Sequence, residues 1–596
     1  MQTFKKLLLI LTPQEFKKAA LLLIMILIMA ILDMIGVASI LPFITVLTNP
    51  NIIETNSILN TMFHSTRVFG VETDQQFLFV LGIVVFVLLV ISILFKAITT
   101  YAQLRFVQMR GYSIGKRLVE GYLHQPYSWF LGRNSSELGK NILSEVDTVV
   151  GGFMKPLLDL IAKSLLTFSI IVLLIIVDPK LALIIGFVLG GAYVIIFYFI
   201  RNYLNQIGKK RFEHNEIRFK SVSEAFGASK EVKVGGLEKI YVKLFSDSAK
   251  IYAQSSASST LISQLPRFFL EIIAFGGVLL IILYMMRQSD NFNTALPIVS
   301  LYVFAGYRLM PAIQQIYSSF VALTFVGPAI NNLSEDIKNL NPINSNQVDD
   351  KLSLNKAITL KNIYYNYPNS SRTALKDISL SVPVKSSIGL VGATGSGKTT
   401  VVDIILGLLE AQKGNLKVDN KIITKQNSRS WQRSIGYVPQ HIYLSDDTIA
   451  ANIAFGVDPK DVVQSKVEQT SKIANLHEFI AKELPKQYKT TIGERGVRLS
   501  GGQRQRIGIA RALYHDPKIL ILDEATSALD NQTEKKVMDA VNNLNKDMTI
   551  ILIAHRLSTV KKCNQIYLLK NGQIENHGTF EELIKVNENF RVNANN

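Results

Sequence analysis

The sequence predicts a polytopic α-helical membrane domain followed by an α/β domain with a phosphate-binding loop (P-loop). Hydrophobic residues make up 48% of the 596 residues, and they are concentrated in the first half. About six apolar runs before residue 330 are long enough to cross a bilayer. The second half contains an unbroken glycine-rich motif that is typical of P-loops. We therefore divide the chain into a transmembrane domain (1–330), a linker (331–355) and an α/β domain (356–596).

The membrane prediction rests on the uniformity of the apolar runs. A set of buried helices in a large soluble protein is the alternative, but Leu165–Val177 and Phe187–Ile200 leave no polar face. The predicted spans are Ala19–Leu47, Phe77–Tyr101, Phe153–Val177, Leu181–Ile200, Leu261–Met286 and Ala295–Val326.

Basic residues predict the orientation of these spans. Segments 110–152 and 201–260 are rich in Lys and Arg, whereas segment 49–76 holds only Arg67. Because positive loops stay on the cytoplasmic side, both basic loops and the N terminus are predicted to be cytoplasmic. Both loops keep helical periodicity, so their helices are expected to continue beyond the membrane as levers. Solvated charged helices that only connect the spans are the alternative.

Composition excludes other classes of protein. The formal charge of +18 raises the question of nucleic acid, but the charges lie beside apolar segments and not on one compact face, so no nucleic-acid partner is expected. Cys563 is the only cysteine, which excludes an intrachain disulfide and suits a reducing cytosol. The short N-terminal apolar run lacks a small-residue cleavage site, so we expect no cleavable signal peptide.

Two shorter segments have sequence patterns that predict an interfacial helix and a linker less specifically. Apolar residues recur at helical spacing in the external segment after a possible cap at Ser57, which predicts a helix lying in the outer membrane interface. An ordinary loop with a few buried apolar residues is the alternative. The segment beyond Gly327 becomes polar and Asn-rich, which is typical of a linker. The apolar residues of the external segment are Ile58, Leu59, Met62 and Phe63.

The glycine-rich motif follows the strand-like run Ser387–Val391. Its glycines allow backbone N–H groups to curl around phosphates, and the helix that starts at Lys398 points its positive end at the same charge. Lys398 is expected to reach the β and γ phosphates and Thr399 to hold Mg²⁺, which makes ATP and Mg²⁺ the expected cofactors. A glycine-rich turn without a ligand is the alternative. The motif comprises Gly392, Ala393, Thr394, Gly395, Ser396, Gly397, Lys398 and Thr399.

Two further motifs complete the chemistry. The apolar run 519–522 ends in Asp523 and Glu524, which predicts a carboxylate on Mg²⁺ followed by the general base that activates water. A second candidate anion site lies between the P-loop and these acids, at the predicted start of a helix. A single chain provides no second γ-phosphate for this site to bind. That site consists of Ser500, Gly501, Gly502 and Gln503.

In this order the motifs resemble those of ATP-binding cassette (ABC) transporters, whose signature is Leu-Ser-Gly-Gly-Gln. The resemblance covers essentially the whole chain and implies a homodimer in which the signature of one subunit closes over nucleotide held by the other. It also implies that Tyr367 stacks on adenine, Gln440 senses Mg²⁺, Asp530 communicates across the dimer and His555 contacts the γ-phosphate. For His555 alone, a hydrogen-bonded histidine at a strand end is the alternative.

Fusion of six spans to one cassette resembles the exporter branch of the family. By that resemblance, Gly493–Gly496 is an exporter feature, and the stretches Ser128–Lys140 and His214–Glu224 dock on the cassettes. The nucleotide motifs are intact, including Glu524, so we expect an ATP hydrolase coupled to transport. The expected location is the cell inner (plasma) membrane, with the ATPase domain in the cytoplasm.

Three basic residues in or near the membrane spans are the candidate substrate cavity: Lys96, Arg267 and Arg308. Lys96 can snorkel to the interface and Arg267 can pair with Glu271, whereas Arg308 has no acid within a turn of its own helix. Counted at about 1.5 Å per residue, Arg308 is predicted near mid-membrane, whereas Lys96 and Arg267 are predicted in the cytoplasmic half. These heights suit a phosphate headgroup that enters from the inner leaflet. The pattern therefore resembles the flippases of lipid-linked oligosaccharides, with an amphipathic lipid or glycolipid as substrate.

Other functions remain open. A multidrug or general lipid exporter is the main alternative, with a cavity that is chiefly apolar and aromatic. Long regulatory insertions would favour an ABC protein that uses ATP to gate or regulate, and the sequence lacks them. A DNA-repair type ABC ATPase would lack the membrane half. Peptide secretion with an attached protease is disfavoured because Cys563 lies in the cassette.

Overall fold

The computed structural model of the protein describes residues 12–67, 70–177, 179–288, 292–340, 351–368, 370, 372–526, 528–544, 547–554 and 556–595. The chain divides into two compact units, Met1–Gln125 with Arg133–Pro342 and Pro126–Gly132 with Ile343–Asn596. The first unit is helical and the second contains two sheets, which confirms the predicted fold class.

Helices account for the regular structure of the described part of the chain before residue 341. Two π-helical turns, Asn141–Glu145 and Val150–Met154, flank one short helix. The helices are α1 Pro13–Ala38, α2 Ile40–Thr48, α3 Ile52–Thr55, α4 Ser57–Thr66, α5 Asp74–Leu123, α6 Tyr127–Phe130, α7 Ser135–Lys140, α8 Val146–Val149, α9 Lys155–Val177, α10 Pro179–Gly227, α11 Ser229–Val234, α12 Glu238–Gln288, α13 Phe292–Phe325 and α14 Gly327–Asn339.

Three of these helices are much longer than a bilayer is thick. α5, α10 and α12 contain 50, 49 and 51 residues. At about 1.5 Å per residue each helix is about 75 Å long, whereas the hydrocarbon core measures about 30 Å. The helices therefore continue beyond any membrane span, as the periodicity of the basic loops predicts.

Within the described residues, three helical segments are long and apolar enough to cross a membrane: Pro13–Thr48, Asp74–Leu123 and Ser135–Val177. A fourth is obtained if Val303–Phe325 and Gly327–Asn339, which are bent by 54° at their junction, count as one span. The predicted spans 181–200 and 261–286 fall in α10 and α12, where many of the side chains lie outside the described residues.

The external segment forms the helix α4. Its N-cap is Asn56, whose side chain accepts hydrogen bonds from the N–H groups of Ile58 and Leu59, so the predicted cap at Ser57 is wrong by one residue. Leu59 and Phe63 are buried in a cluster with other apolar side chains, whereas Ile58 is 72% exposed. The helix is thus anchored on one face and presents apolar surface on another.

Helix α14 covers the start of the predicted linker, and residues 341–350 lie outside the described part. The helix is amphipathic, with Leu333 fully buried. Its buried Asp336 accepts hydrogen bonds from Tyr122, Arg133 and Asn141 at 2.7, 2.9 and 2.9 Å. An Asn-rich composition did not predict this helix because its stability comes from tertiary contacts.

The second unit is built on a six-stranded sheet of order β10–β9–β3–β8–β7–β6 and a four-stranded antiparallel sheet of order β2–β1–β4–β5. In the larger sheet only β10 is antiparallel. The strands are β1 Ala357–Asn366, β2 Thr373–Pro383, β3 Ser387–Val391, β4 Lys413–Val418, β5 Lys421–Ile422, β6 Ile435–Val438, β7 Ile519–Asp523, β8 Thr549–Ala554, β9 Gln565–Lys570 and β10 Gln573–Gly578.

Strands β3, β7 and β8 are buried along their whole length, as expected for parallel strands covered on both faces. Their carboxyl ends lie at one edge of the sheet, which is where ligands bind in parallel α/β sheets. The helices of this domain are α15 Lys398–Ile405, α16 Ser428–Gln432, α17 Ile449–Ile453, α18 Gln464–Ile473, α19 His477–Glu483, α20 Gly501–Tyr514, α21 Asn531–Leu544, α22 Leu557–Val560, α23 Phe580–Val586 and α24 Glu588–Asn595.

Trp431 is the largest fully buried side chain described, and its indole N–H donates to Ile405 O at 2.6 Å. We expect Trp431→Ala to lower the free energy of unfolding of the cassette by about 3–5 kcal/mol, because it leaves a cavity and an unpaired carbonyl. Calorimetric unfolding in detergent measures this, with the exposed Tyr443→Ala as the control. Equal stability of the two variants would contradict the prediction.

Candidate ATP-binding and hydrolysis site

The P-loop connects β3 to α15, and its glycines occupy positions that other residues could not. Gly392 and Gly397 have φ angles of 156° and 103°. A Cβ at Gly392 would lie 2.3 Å from Leu569 O, and one at Gly397 would lie 2.8 Å from Leu375 Cδ2. The loop is therefore a backbone cradle held closely against neighbouring strands, as phosphate binding requires.

Lys398 begins α15 and is buried. Its ammonium group donates to Gly392 O at 2.8 Å and to Ala393 O at 3.1 Å, so it lies folded back across the loop. Burial lowers the pKa of Lys398, while the nearby charges of Glu524 and Asp523 oppose that shift.

The loop fits a phosphate in a second respect. Among the described residues, the buried Ser396 Oγ has no hydrogen-bond partner. A buried hydroxyl without a partner is costly, and a phosphate oxygen in the cradle would supply one. The residues present therefore fit the polyphosphate of a nucleotide.

Strand β7 ends in one acidic residue, Asp523, and is followed directly by another, Glu524, at the same sheet edge. Strand β8 pairs Ile553 with Asp523 on one side and Ala554 with Val391 on the other, which brings the acids beside the P-loop. Asp523 is buried at 4% exposure. Glu524 has φ of 50°, and its side chain accepts a hydrogen bond from Gln440 Nε2 at 2.8 Å. Gln440 follows β6, so all three motifs meet at one edge.

A second buried acid stands close to the predicted metal ligand. Burial raises the pKa of Asp403 to about 6, and the charge of Asp523 adds to the shift. Burial also raises the pKa of Tyr437 well above its ordinary value, and Asp523 contributes to that shift through its charge and a hydrogen bond. The surroundings of Asp523 thus concentrate negative charge where a divalent cation would be favourable.

The signature motif begins α20. Ser500 is the N-cap and forms a capping box with Gln503: the Ser500 hydroxyl accepts from Gln503 N at 3.2 Å, and Ser500 N donates to Gln503 Oε1 at 2.8 Å. A Cβ at Gly502 would lie 3.0 Å from Leu529 Cδ2, and one at Gly501 would lie 3.2 Å from Ala528 Cβ. The glycines therefore allow the signature to pack against the segment that precedes Asp530.

The remaining predicted residues lie as follows. Tyr367 is half-buried, contacts Tyr365 edge-on at 5.2 Å and shares a 3.1 Å hydrogen bond with Thr400 Oγ1. Its ring is thus fixed beside the P-loop helix. Asp530 is exposed and accepts from the N–H groups of Gln532 and Thr533, which caps α21. His555 lies outside the described residues.

Sequence reasoning missed two residues that connect these motifs. Gln505 Oε1 accepts from Ala528 N at 3.0 Å, and its Nε2 lies 3.5 Å from Glu524 O. Glu534 accepts from Thr526 Oγ1, Thr559 Oγ1 and Arg556 Nη1 at 3.0, 3.1 and 3.2 Å. An acid in the first turn of α21 is an ordinary capping signal, so nothing in the sequence indicated this role.

In the helical unit, the three predicted basic residues prove to have acidic neighbours. Arg308 Nη1 lies 3.3 Å from Asp33 Oδ1, and Lys96 Nζ lies 4.0 Å from Asp33 Oδ2. Asp33 is 1% exposed and also accepts from Ser92 Oγ at 2.6 Å. Arg267 pairs with Glu271 at 2.7 Å, as its spacing allowed. The acid near Arg308 comes from a different helix and was not predicted.

Comparisons with known proteins agree with this geometry. Residues 19–311 match the family model for the ABC transporter transmembrane region, and residues 375–527 match the model for the ABC transporter. The ATP-dependent lipid A-core flippase of Cupriavidus pinatubonensis is 30% identical over 479 residues, which cover 79% of this chain and 80% of the relative. This chain belongs to the ABC transporter family. It is an ATP hydrolase of the exporter type with a multi-pass membrane domain.

Two further proteins resemble this ABC exporter, one over part of the chain and one over nearly all of it. Mouse ATP-binding cassette sub-family B member 10, mitochondrial, is 43% identical over 246 residues, which cover 41% of this chain and 34% of the relative. The structure of a bacterial Atm1-family ABC exporter with ATP bound has a TM-score of 0.77 at 21% identity and covers 97% of this chain and 98% of the other. The latter likeness establishes the fold.

Proposed function

We propose that this ABC exporter is a homodimeric flippase that uses ATP and Mg²⁺ to move a phosphate-bearing lipid from the inner to the outer leaflet. The most specific candidate is a lipid-linked oligosaccharide, and the membrane is the cell inner (plasma) membrane with the cassettes in the cytoplasm. The observation that carries the proposal is the cluster formed by Asp33, Lys96 and Arg308 in the membrane domain. We call it the charged cluster.

The charged cluster has an excess of positive charge. It places two cations around one carboxylate, and the side chains of Lys96 and Arg308 keep 36% and 19% exposure while that of Asp33 has none. Charges at membrane depth are costly and mark substrate pathways. A phosphate group would be attracted to the uncompensated cation and can accept several hydrogen bonds from Arg308. A chiefly apolar drug would gain nothing from this cluster.

Arg267 contributes in a different way. Its side chain is 55% exposed and its charge is compensated by Glu271, so it attracts a phosphate less strongly than Arg308 does. We retain Arg267 in the proposed cavity as an exposed hydrogen-bond donor. The name of the Cupriavidus relative, a lipid flippase, supports a lipid substrate and leaves the headgroup open.

The ATPase part of the proposal assigns roles to the residues at the sheet edge. Thr399, Asp523 and Gln440 are the proposed Mg²⁺ ligands, Glu524 the general base and His555 the γ-phosphate contact. The signature, Ser500–Gln503, would complete the site of the partner subunit, and closure of the two cassettes would turn the membrane cavity outward. The closing of two signatures over two nucleotides requires a dimer.

Removal of the two arginines tests the substrate class. We expect Arg308→Ala with Arg267→Ala to abolish translocation of a polyprenyl-diphosphate oligosaccharide in vesicles while basal ATP hydrolysis persists, because the phosphate loses both guanidinium groups and keeps only Lys96 of its three proposed cations. Translocation into the outer leaflet and hydrolysis are measured on the same proteoliposomes. The exposed Arg105→Ala is the matched control for lost positive charge.

The Arg308 substitution leaves Asp33 short of one cation, which can destabilise the fold. The double arginine substitution is therefore also tested together with Asp33→Asn, which removes the buried negative charge. Unchanged translocation in either background would contradict a phosphate site at these arginines. Stimulation of hydrolysis by apolar drugs and not by the lipid would favour the multidrug alternative.

A further inference from the structure

A second polar group of side chains shares two helices, α5 and α13, with the charged cluster. It consists of Gln103 on α5, Asp159 on α9 and Gln315 on α13, and we call it the amide cluster. Gln103 Nε2 donates to Asp159 Oδ1 at 2.6 Å, and Gln315 Nε2 lies 3.5 Å from Asp159 Oδ2. Gln103 is 8% exposed, whereas Asp159 and Gln315 are half-buried. The cluster is therefore open on one side.

The two clusters stand at a fixed spacing along the helices. Gln103 follows Lys96 by seven residues on α5, and Gln315 follows Arg308 by seven residues on α13. Seven residues correspond to about two helical turns, so each pair lies on one helix face about 10 Å apart. Lys163 follows Asp159 by four residues, about one turn, on α9, and it interacts electrostatically with Asp159 and with all three members of the charged cluster.

The chemistry of the amide cluster differs from that of the charged cluster. Two amides and a carboxylate offer both donors and acceptors, and the carboxylate is a strong acceptor for hydroxyl groups. None of its three members is a cation, and the carboxylate of Asp159 disfavours a phosphate. The neighbouring Lys163 also interacts with the residues of the charged cluster. Neutral ligands with many hydroxyl groups match this set of partners.

We propose that the amide cluster is a saccharide-binding subsite, which recognises sugar hydroxyls of a glycolipid whose phosphate group lies at the charged cluster. This inference rests on the proposed function. The 10 Å spacing matches a ligand in which sugar and phosphate are joined within one headgroup. A free oligosaccharide lacks the phosphate, so it would contact only the amide cluster and bind more weakly than the glycolipid.

The test compares lipids that differ only in the sugar. Wild type, Asp159→Asn and Gln315→Leu are reconstituted in proteoliposomes, and ATP hydrolysis is titrated with polyprenyl diphosphate, with the same lipid bearing an oligosaccharide, and with that oligosaccharide released from the lipid. Gln314→Leu, which changes the neighbouring amide, is the matched control. Thermal unfolding in detergent reports whether each variant is folded.

In both variants we expect the half-stimulating concentration of the glycan-bearing lipid to rise about 10-fold or more, because a charge-assisted hydrogen bond is lost. The half-stimulating concentration of bare polyprenyl diphosphate should stay within about twofold of its value for the wild-type protein. Gln315→Leu removes only the longer contact, so it keeps the test valid if Asp159→Asn fails to fold.

Three results would overturn the subsite while leaving the proposed flippase function standing. An equal shift for both lipids would show that the cluster only holds the helices together. No shift for either lipid would show that the sugar is not bound here, and stimulation by the released oligosaccharide alone would show that the phosphate is not part of the ligand. If neither lipid stimulates the wild type, the proposed flippase function fails and the subsite with it.

Discussion

Replacing Glu524 with Gln should lower the rate of ATP hydrolysis at least about 100-fold while ATP binding persists. The amide keeps the shape of the side chain but cannot accept the proton of the attacking water. With binding intact and hydrolysis blocked, the proposed dimer should accumulate in a closed, ATP-loaded state.

The structure indicates why the substitution should be local. Gln440 Nε2 donates to Glu524 Oε2 at 2.8 Å, and the carbonyl oxygen of a glutamine can accept the same hydrogen bond. The left-handed backbone at Glu524 is held by its N–H bond to Ile553 O at 3.0 Å, which does not involve the side chain. The variant therefore changes the proton acceptor and little else.

Turnover, ATP affinity and trapped nucleotide are measured for the full chain in detergent or vesicles. Glu575→Gln, which removes a charge paired with Lys570 on the same domain, is the matched control and should hydrolyse ATP at the wild-type rate. Near-normal turnover of the Glu524 variant would remove Glu524 from the role of general base.

The meeting of the P-loop, the acidic pair and Gln440 at one sheet edge could be predicted because each motif is contiguous in the sequence and is tied to one strand. The P-loop follows the buried strand β3, the acidic pair lies at the end of the buried strand β7, and parallel strands bring their carboxyl ends to one edge. A motif such as 392–399 therefore specifies both its local conformation and its position in the domain. The Gln440–Glu524 contact is the geometric consequence of this rule, and it joins residues that are 84 positions apart in the sequence.

The membrane domain was less predictable, because its polar contacts join distant helices. The sequence shows that Arg308 has no acid nearby along its helix, but Asp33 is 275 residues away in the chain. Periodicity places a residue on a helix face and does not say which helix faces it. Helix α14 was missed for a related reason, since Leu333 and Asp336 stabilise it only through contacts with other helices.

Replacing Lys398 with Ala should weaken ATP binding about 10- to 100-fold and lower hydrolysis as well. The ammonium group of Lys398 donates to Gly392 O and Ala393 O within the loop. On binding, the same donors would transfer to the β and γ phosphates, and a charge-assisted hydrogen bond contributes about 1.5–3 kcal/mol.

This prediction differs from that for Glu524 because it concerns the ground state as well as the transition state. Loss of binding raises the ATP concentration needed for half-maximal rate, whereas loss of the base lowers the maximal rate alone. Binding of ATP to the full chain, measured by titration calorimetry, separates the two. Lys425→Ala, an exposed lysine paired with Glu410 on the same domain, is the matched control. If the Lys398 variant bound ATP as tightly as this control, residues 392–399 would not be the P-loop that holds the nucleotide.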